Sequence, residues 1–307
     1  MTDRLVVSVP EEHLYHALVE RFPDIEVVLW DLSGPAPLDK IDVVVAAYMA
    51  GVEQFAFLPS PPPRFIQWQS IGYNGLLDAV PPGVTVANAA TVHEASTAEL
   101  TLGLIIAAQR EFPYHWRRLQ QHDWATTFSP SLADSRVLLL GYGGVGKAIE
   151  DRLIPFEVEI TRVARSAREG PRGLVHGIDE LASLLPRADI FVAALPLSAE
   201  TTGLIGPAEL ALLPDGALVV NVGRGPVMST RAIVAEAGSG RLRFALDVVD
   251  PEPLPAGHPL FDLANVLLLP HIGGASSAMP PRIRRLVIDQ IERIREGREL
   301  RNVISSD

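Results

Sequence analysis

Two spacings alternate along the chain. Short runs that are apolar at nearly every position are separated by segments whose apolar residues recur three and four apart. In one dimension this is the pattern of a parallel sheet joined by crossover helices. Leu5–Val9, Ile25–Trp30, Ile41–Ala46, Phe65–Gln69 and Val84–Ala87 form a first block of predicted strands. A helix over Glu11–Arg21 turns Leu14, Leu18 and Val19 to one face, and the prolines of Pro59–Pro63 require a loop. The nearly continuous apolar segment Ala95–Gln109 predicts a helix buried on most sides, which Pro113 ends or follows with a turn. Trp116–Leu132 is polar and aromatic, without a clear period.

A second block opens at Arg136. Strands are predicted at Val137–Leu140, Glu159–Ala164, Ile190–Ala194, Ala217–Asn221, Phe244–Val248 and Val266–Leu269. Helices fall between them at Lys147–Leu153, Ile178–Leu185, Ala208–Leu212 and Arg231–Ala237, and the amphipathic segment Arg282–Arg295 forms a last helix. Two blocks within 307 residues suit two domains.

Composition narrows the chemistry. There is no cysteine, which excludes disulfides, thiol nucleophiles, iron–sulfur clusters and cysteine zinc sites. Lys40 and Lys147 are the only lysines, and neither lies in an apolar pocket signature suited to Schiff-base chemistry. His13 and His16 lack a third ligand nearby in sequence, so no metal site is expected. The formal net charge of -11 disfavours nucleic acid as a partner. The N-terminal apolar run stops at Pro10, too short for a secretory signal, and Leu100–Ala108 is too short to span a bilayer. A cytoplasmic protein with no membrane partner is expected.

The string from Gly141 to Ala148 fits two templates. As G-x-G-x-x-G, Gly141 makes the strand-to-helix turn, Gly143 admits a pyrophosphate to the backbone, and Gly146 lets helix and strand pack closely. Gly144 and Val145 complete the loop, and the phosphate rests on the positive end of the helix. As a phosphate loop of the G-x-x-x-x-G-K-[ST] type, the string fails at Ala148, where a metal-binding hydroxyl belongs. A bare glycine turn is the third option. The strand before and the helix after favour a dinucleotide. Enzymes using NAD place an acid at the end of the next strand, about 20 residues on. Here Ala164 is followed by Arg165 and Ser166, with Arg168 close by, which suits a 2′-phosphate. NADP(H) is therefore favoured, with NAD(H) possible.

Downstream strings carry a specific resemblance. In order they are Gly141–Gly146, Ala188–Ile190, Leu195–Ile205, Asn221–Gly225, Ala245–Leu254 and Leu269–Gly274. Together they resemble the D-isomer-specific 2-hydroxyacid dehydrogenases over most of the chain, and the segment Ala164–Ser166 resembles that of the NADPH-preferring hydroxypyruvate and glyoxylate reductase branches. The resemblance implies two Rossmann-like, doubly wound parallel-sheet domains separated by a cleft that closes to exclude water. Residues 1–89 and 275–307 would form a discontinuous substrate-binding domain, and residues 90–274 an inserted dinucleotide-binding domain.

The implied reaction is hydride transfer between NADP(H) and a 2-keto or 2-hydroxy acid. Such a reduction needs a group to bind the carboxylate and polarise the carbonyl, a proton donor, and a group that keeps the donor charged and oriented. Arg224, His271 and Glu252 match the family's catalytic positions and suit these tasks by residue type. The resemblance further places Asp247 on the nicotinamide carboxamide, Pro196 and Val222 beside the ring, and Gly273 and Gly274 where the chain approaches it. It gives Ile71 and Gly72 a carboxylate to hold through backbone N–H groups. Tyr48, Met49 and His93 are further candidates for the pocket. The segment Phe112–Phe128 resembles the family's dimer arm, so a homodimer is expected. Glu157 stands where the family often has glycine. A rival reading is a non-catalytic NAD(P)(H)-responsive binding protein on the same fold, similar to the C-terminal-binding-protein corepressors.

Overall fold

The computed structural model describes residues 4–305. The first three residues of the N-terminal stretch weighed as a signal lie outside them. In chain order the first block comprises β1 (Val6–Val9), α1 (Glu12–Arg21), β2 (Glu26–Leu29), β3 (Val43–Val45), β4 (Phe65–Gln67), α2 (Leu76–Ala79) and β5 (Thr85–Ala87). Two helices follow, α3 (Glu94–Gln109) and α4 (Phe112–Gln120). The second block comprises β6 (Arg136–Leu140), α5 (Gly144–Leu153), β7 (Glu159–Ala164), β8 (Arg168–Gly170), β9 (Gly173–Gly177), α6 (Leu181–Leu184), β10 (Ile190–Ala193), α7 (Pro207–Leu212), β11 (Leu218–Asn221), α8 (Thr230–Gly238), β12 (Arg243–Leu246) and β13 (Val266–Leu268). The long helix α9 (Met279–Glu296) and the strand β14 (Val303–Ser305) end the described chain.

The chain divides into two compact units. One contains the residues up to His93 together with those from Ser276 onward, and the other runs from Glu94 to Ala275. Each is a parallel-sheet α/β unit, as the alternating pattern implies.

The first unit has six strands in the order β14-β5-β4-β3-β1-β2, all parallel except β14, which pairs antiparallel with β5. Its sheet is covered on both faces. Val7, Val9 and Val43 pack with Leu14, Leu18 and Phe22, and with Ile283, Val287 and Ile291 of α9. Val44, Ile66 and Val86 pack on the other side with Trp30, Leu32 and Trp68. Val19 is 44% exposed, contrary to its assignment to the buried face. Leu14 and Leu18 are four apart and share a stripe, whereas Val19 lies about 100° further round the helix.

The second unit has eight strands in the order β13-β12-β11-β10-β6-β7-β9-β8, parallel except for the β8–β9 hairpin. Successive residues of β6 enter different cores. Val137 and Leu139 join Ala98, Leu104 and Ile105 of α3, while Leu138 and Leu140 join Phe191, Phe244 and Ile233. Burial on both faces explains why these strands read as unbroken apolar runs.

Three local readings need correction. Pro113 neither ends α3 nor begins a simple turn, because it occupies the first turn of α4. Proline is well suited there, since its missing N–H would have no helical partner. The supposedly aperiodic segment is thus partly helical, with Phe112, Trp116 and Leu119 following one another at four and three residues. All three are exposed, so no core marked the pattern. The hairpin β8–β9 is a further difference, because its strands are charged and glycine-rich and, Val175 apart, bury little apolar surface at this edge of the sheet. Finally, α5 begins at Gly144 rather than Lys147, since the end of the glycine loop is already its first turn.

Candidate active site

The glycine loop lies where the strand order of the second unit reverses. β6 and β10 are neighbours, and the connection after β6 leads to β7 while that after β10 leads to β11 on the other side, so the two leave in opposite directions and open a crevice at the strands' carboxyl ends. Gly141 follows β6 with φ +101°, and a Cβ there would sit 2.6 Å from the Ala194 carbonyl oxygen after β10. A Cβ on Gly146 would sit 2.0 Å from the Gly141 carbonyl oxygen. The protein's own packing therefore demands glycine at both positions. Gly143 differs, because a Cβ there would meet no protein atom within 4 Å. Gly143 and Gly144 are exposed, with Val145 half-buried behind them, and the first turn of α5 carries no acidic residue. An open backbone before unpaired helix N–H groups fits a pyrophosphate.

Arg165 and Ser166 follow β7 directly and are exposed. The Arg165 guanidinium lies 3.8 Å from a Glu200 carboxylate oxygen, with both side chains largely in solvent. Arg168 donates to the carbonyls of Ser166 and Tyr142, each at 3.3 Å. Arg168 therefore ties the segment after β7 to the glycine loop after β6.

Three further strand ends carry Arg224, Glu252 and His271. They follow β11, β12 and β13, which are adjacent in the sheet. Nδ1 of His271 lies 2.9 Å from Oε1 of Glu252, and both side chains are partly open to solvent. This contact places a proton on Nδ1 and leaves Nε2 as the nitrogen that can exchange a proton with a ligand. The His271 backbone is left-handed, at φ +53°. Its N–H donates to the Asp247 carbonyl at 2.8 Å.

The carboxylate of Asp247, itself buried, accepts from the next two amides, Ile272 at 2.8 Å and Gly273 at 2.9 Å. Asp247 thus holds the His271 loop from below, a task its sequence position did not disclose. A Cβ on Gly273 would lie 2.9 Å from that carboxylate, which gives the glycine a reason within the protein. Gly274 follows it, half-buried.

Arg224 sits between two glycines pressed against neighbouring loops. A Cβ on Gly223 would lie 2.6 Å from the Leu195 carbonyl oxygen, and one on Gly225 would lie 1.7 Å from that of Val249. The buried Asn221 at the end of β11 supports this turn. Its amide donates to the Arg224 carbonyl and its oxygen accepts from the Gly223 N–H, both at 3.1 Å. Sequence reasoning assigned Asn221 no task, although Asn-x-Gly after a strand is a signal for such a turn. Pro196 is exposed in the loop after β10, whereas Val222 is buried in the core and offers mainly its backbone.

In the first unit, the turn after β4 takes its carbonyls inward. Ser70 accepts from the Ala89 N–H, Ile71 from Asn88 Nδ2 at 2.8 Å, and Gly72 from Trp68 Nε1 at 2.9 Å. A trans peptide points its N–H away from its C=O. The inward carbonyls of Ser70 and Ile71 therefore turn the N–H groups of Ile71 and Gly72 outward. His93 is buried, contacts the Gln69 carbonyl at 2.6 Å and stacks on Tyr48, while Met49 is exposed with φ +61°.

Residues 102–273 match the D-isomer specific 2-hydroxyacid dehydrogenase NAD binding domain. The chain belongs to this family. It is accordingly a nicotinamide-dependent oxidoreductase of 2-hydroxy acids. Among its relatives, the human glyoxylate reductase/hydroxypyruvate reductase is 30% identical over 83% of this chain and 84% of its own. A glyoxylate reductase of Aeropyrum pernix is 28% identical over 94% and 92%. A D-isomer specific 2-hydroxyacid dehydrogenase from Xanthobacter autotrophicus Py2, solved in complex with NADPH and MES, superposes with a TM-score of 0.82 at 26% identity, covering 98% of both chains. Glu157, where the family resemblance leads to an expectation of glycine, has a left-handed backbone at φ +59°, a conformation that glycine adopts most easily. No helix among the described residues is long and apolar enough to cross a membrane.

Proposed function

We propose that this protein reduces a small 2-keto acid of the glyoxylate or hydroxypyruvate type, with NADPH preferred over NADH. The observation that carries the reading is the His271–Glu252 pair at 2.9 Å on the strand ends that also carry Arg224. The names of the relatives and the NADPH held by the Xanthobacter protein support it.

The nicotinamide supplies hydride to the carbonyl carbon. His271 delivers a proton from Nε2 to the carbonyl oxygen, so the carbonyl group becomes a hydroxyl group, and the reverse reaction returns the proton to the same nitrogen. Glu252 holds the ring by accepting from Nδ1, and its negative charge compensates the imidazolium. Arg224 offers a planar fork to the carboxylate and polarises the carbonyl. The outward N–H groups of Ile71 and Gly72 hold a substrate carboxylate.

The turn formed by Gly141, Gly143, Gly144, Val145 and Gly146 takes the pyrophosphate at the start of α5. Arg165 and Ser166 take the 2′-phosphate. Arg165 suits this role because its contact with Glu200 is long and solvated. Pro196, Val222, Asp247, Gly273 and Gly274 surround the nicotinamide.

The protein acts in the cytoplasm as a homodimer. The second copy covers the aromatic arm, where Trp116 is 66% and Trp124 88% exposed.

Steady-state assays with glyoxylate, hydroxypyruvate and bulkier 2-keto acids, run with NADPH and NADH side by side, test the proposal. Turnover of the smaller acids with lower KM for NADPH is expected. Absence of turnover on every acid, with nucleotide binding retained, would favour the non-catalytic binding protein.

A further inference from the structure

One charged cluster of the second unit has no part in the reaction described above. Glu150, on α5, is fully buried. Its Oε1 accepts from Arg162 on β7, with Nε at 2.6 Å. Its Oε2 accepts from the Tyr142 hydroxyl and lies 3.3 Å from Arg172, which also pairs with Asp151 at 2.5 Å. The Arg162 guanidinium lies over the Tyr142 ring, 5.9 Å from its centre. Burial alone would raise the Glu150 carboxyl, but Arg162, the Tyr142 hydroxyl and Arg172 together hold it below the usual carboxylate range, and burial together with Glu150 pushes the Tyr142 phenol up. A charged carboxylate therefore faces a protonated phenol.

Tyr142 is the residue between Gly141 and Gly143. Its side chain is tied to Glu150, while its carbonyl accepts from Arg168. The glycine loop is thus clamped at its one large side chain and at that residue's backbone. Glycines give a loop freedom that must be lost before N–H groups can point together at an anion. A buried, charge-assisted clamp removes that freedom before the ligand arrives.

We propose that Glu150 is a positioning residue for the cofactor, acting through Tyr142 to hold the loop in its pyrophosphate-binding shape. This rests on the assignment of the glycine loop to the pyrophosphate. Because NADPH and NADH share the pyrophosphate, the clamp serves both alike.

The test uses Tyr142→Phe and Glu150→Gln in the full-length protein. NADPH and NADH are titrated by fluorescence, and the thermal midpoint is recorded without nucleotide. Tyr142→Phe leaves Glu150 with both arginines, so the fold survives. Its Kd is expected to rise about 5- to 20-fold for each nucleotide, by a similar factor for both. Glu150→Gln, where it folds, should raise both at least as far. Unchanged Kd values in Tyr142→Phe, with or without a lowered midpoint, would overturn the proposal and leave the cluster a purely structural one. Weakening confined to NADPH would also overturn it, because it would place Tyr142 at the 2′-phosphate. Failure of the unaltered protein to bind either nucleotide would instead strike the cofactor assignment itself.

Discussion

Each unit of this protein has a turn after an interior strand that leads into a helix, and the two turns could hardly differ more. In the second unit, Gly141, Gly143 and Gly146 bring α5 onto the sheet with no acidic residue in its own first turn, although the Glu94 side chain of α3 reaches Gly144, where a Cβ would lie 3.0 Å from its carboxylate. In the first unit, β1 runs into Pro10 and Glu11, and α1 begins with Glu12. The Glu11 carboxylate sits half-buried against Gln69 Nε2, 3.1 Å from each oxygen, and burial pushes it above the ordinary carboxylate range. Two carboxylates thus occupy the positive end of α1, where they are favoured by the helix dipole and repel any anion. The topology recurs, but only one turn has the chemistry of a phosphate site. Fold places a turn at a crevice; residue type decides what the turn binds.

The comparison can be broken most severely at Gly146. A Cβ there meets backbone rather than a movable side chain, so Gly146→Val should abolish nucleotide binding and lower the thermal midpoint, at a cost of about 3 kcal/mol or more. Calorimetric titration and thermal unfolding check this, and normal NADPH affinity would refute the role of the turn. Next in size is His271→Ala, which removes chemistry from the second unit without touching its glycine turn. A fall in kcat of about 10²- to 10⁴-fold with NADPH affinity retained is expected. Arg165→Asp is smaller and selective. It should raise KM for NADPH about tenfold or more while changing KM for NADH little, and equal effects on both would reject Arg165 as the 2′-phosphate ligand.

The smallest effect is expected in the first unit, from Glu11→Gln. A carboxyl whose pKa is raised in the folded state binds more protons there than in the unfolded chain, so its contribution to stability falls as pH rises through that range. The amide keeps an oxygen for Gln69 and carries no charge. Glu11→Gln should therefore gain stability relative to the unaltered protein as pH rises from about 4 to 7. A difference in thermal midpoint that is independent of pH would show that burial of this charge costs nothing.

Much of the fold was legible in the chain. Strands buried on both faces must be apolar throughout, so β6, β10, β11 and β12 stood out as runs. The elements that escaped were those burying least, the hairpin β8–β9 and the exposed helix α4, because a period is visible only where a core demands it. Arg224, Glu252 and His271 were recognisable one by one from their strings. Asn221 and Asp247, which hold the turns beneath Arg224 and His271, were not assigned those tasks, since their partners are backbone groups that any residue carries.

By itself, then, the sequence determined the parallel α/β class, the glycine turn, the absence of thiol chemistry and the candidate reacting residues. Each depends on local residue type or on a pattern that burial imposes. Only the tertiary structure decided that β6 stands where the strand order reverses, that Nδ1 of His271 meets Glu252, and that Tyr142 and Arg162 converge on Glu150. Those contacts join residues on different strands and loops. The energy that selects them comes from packing and desolvation in three dimensions, which no spacing along the chain records.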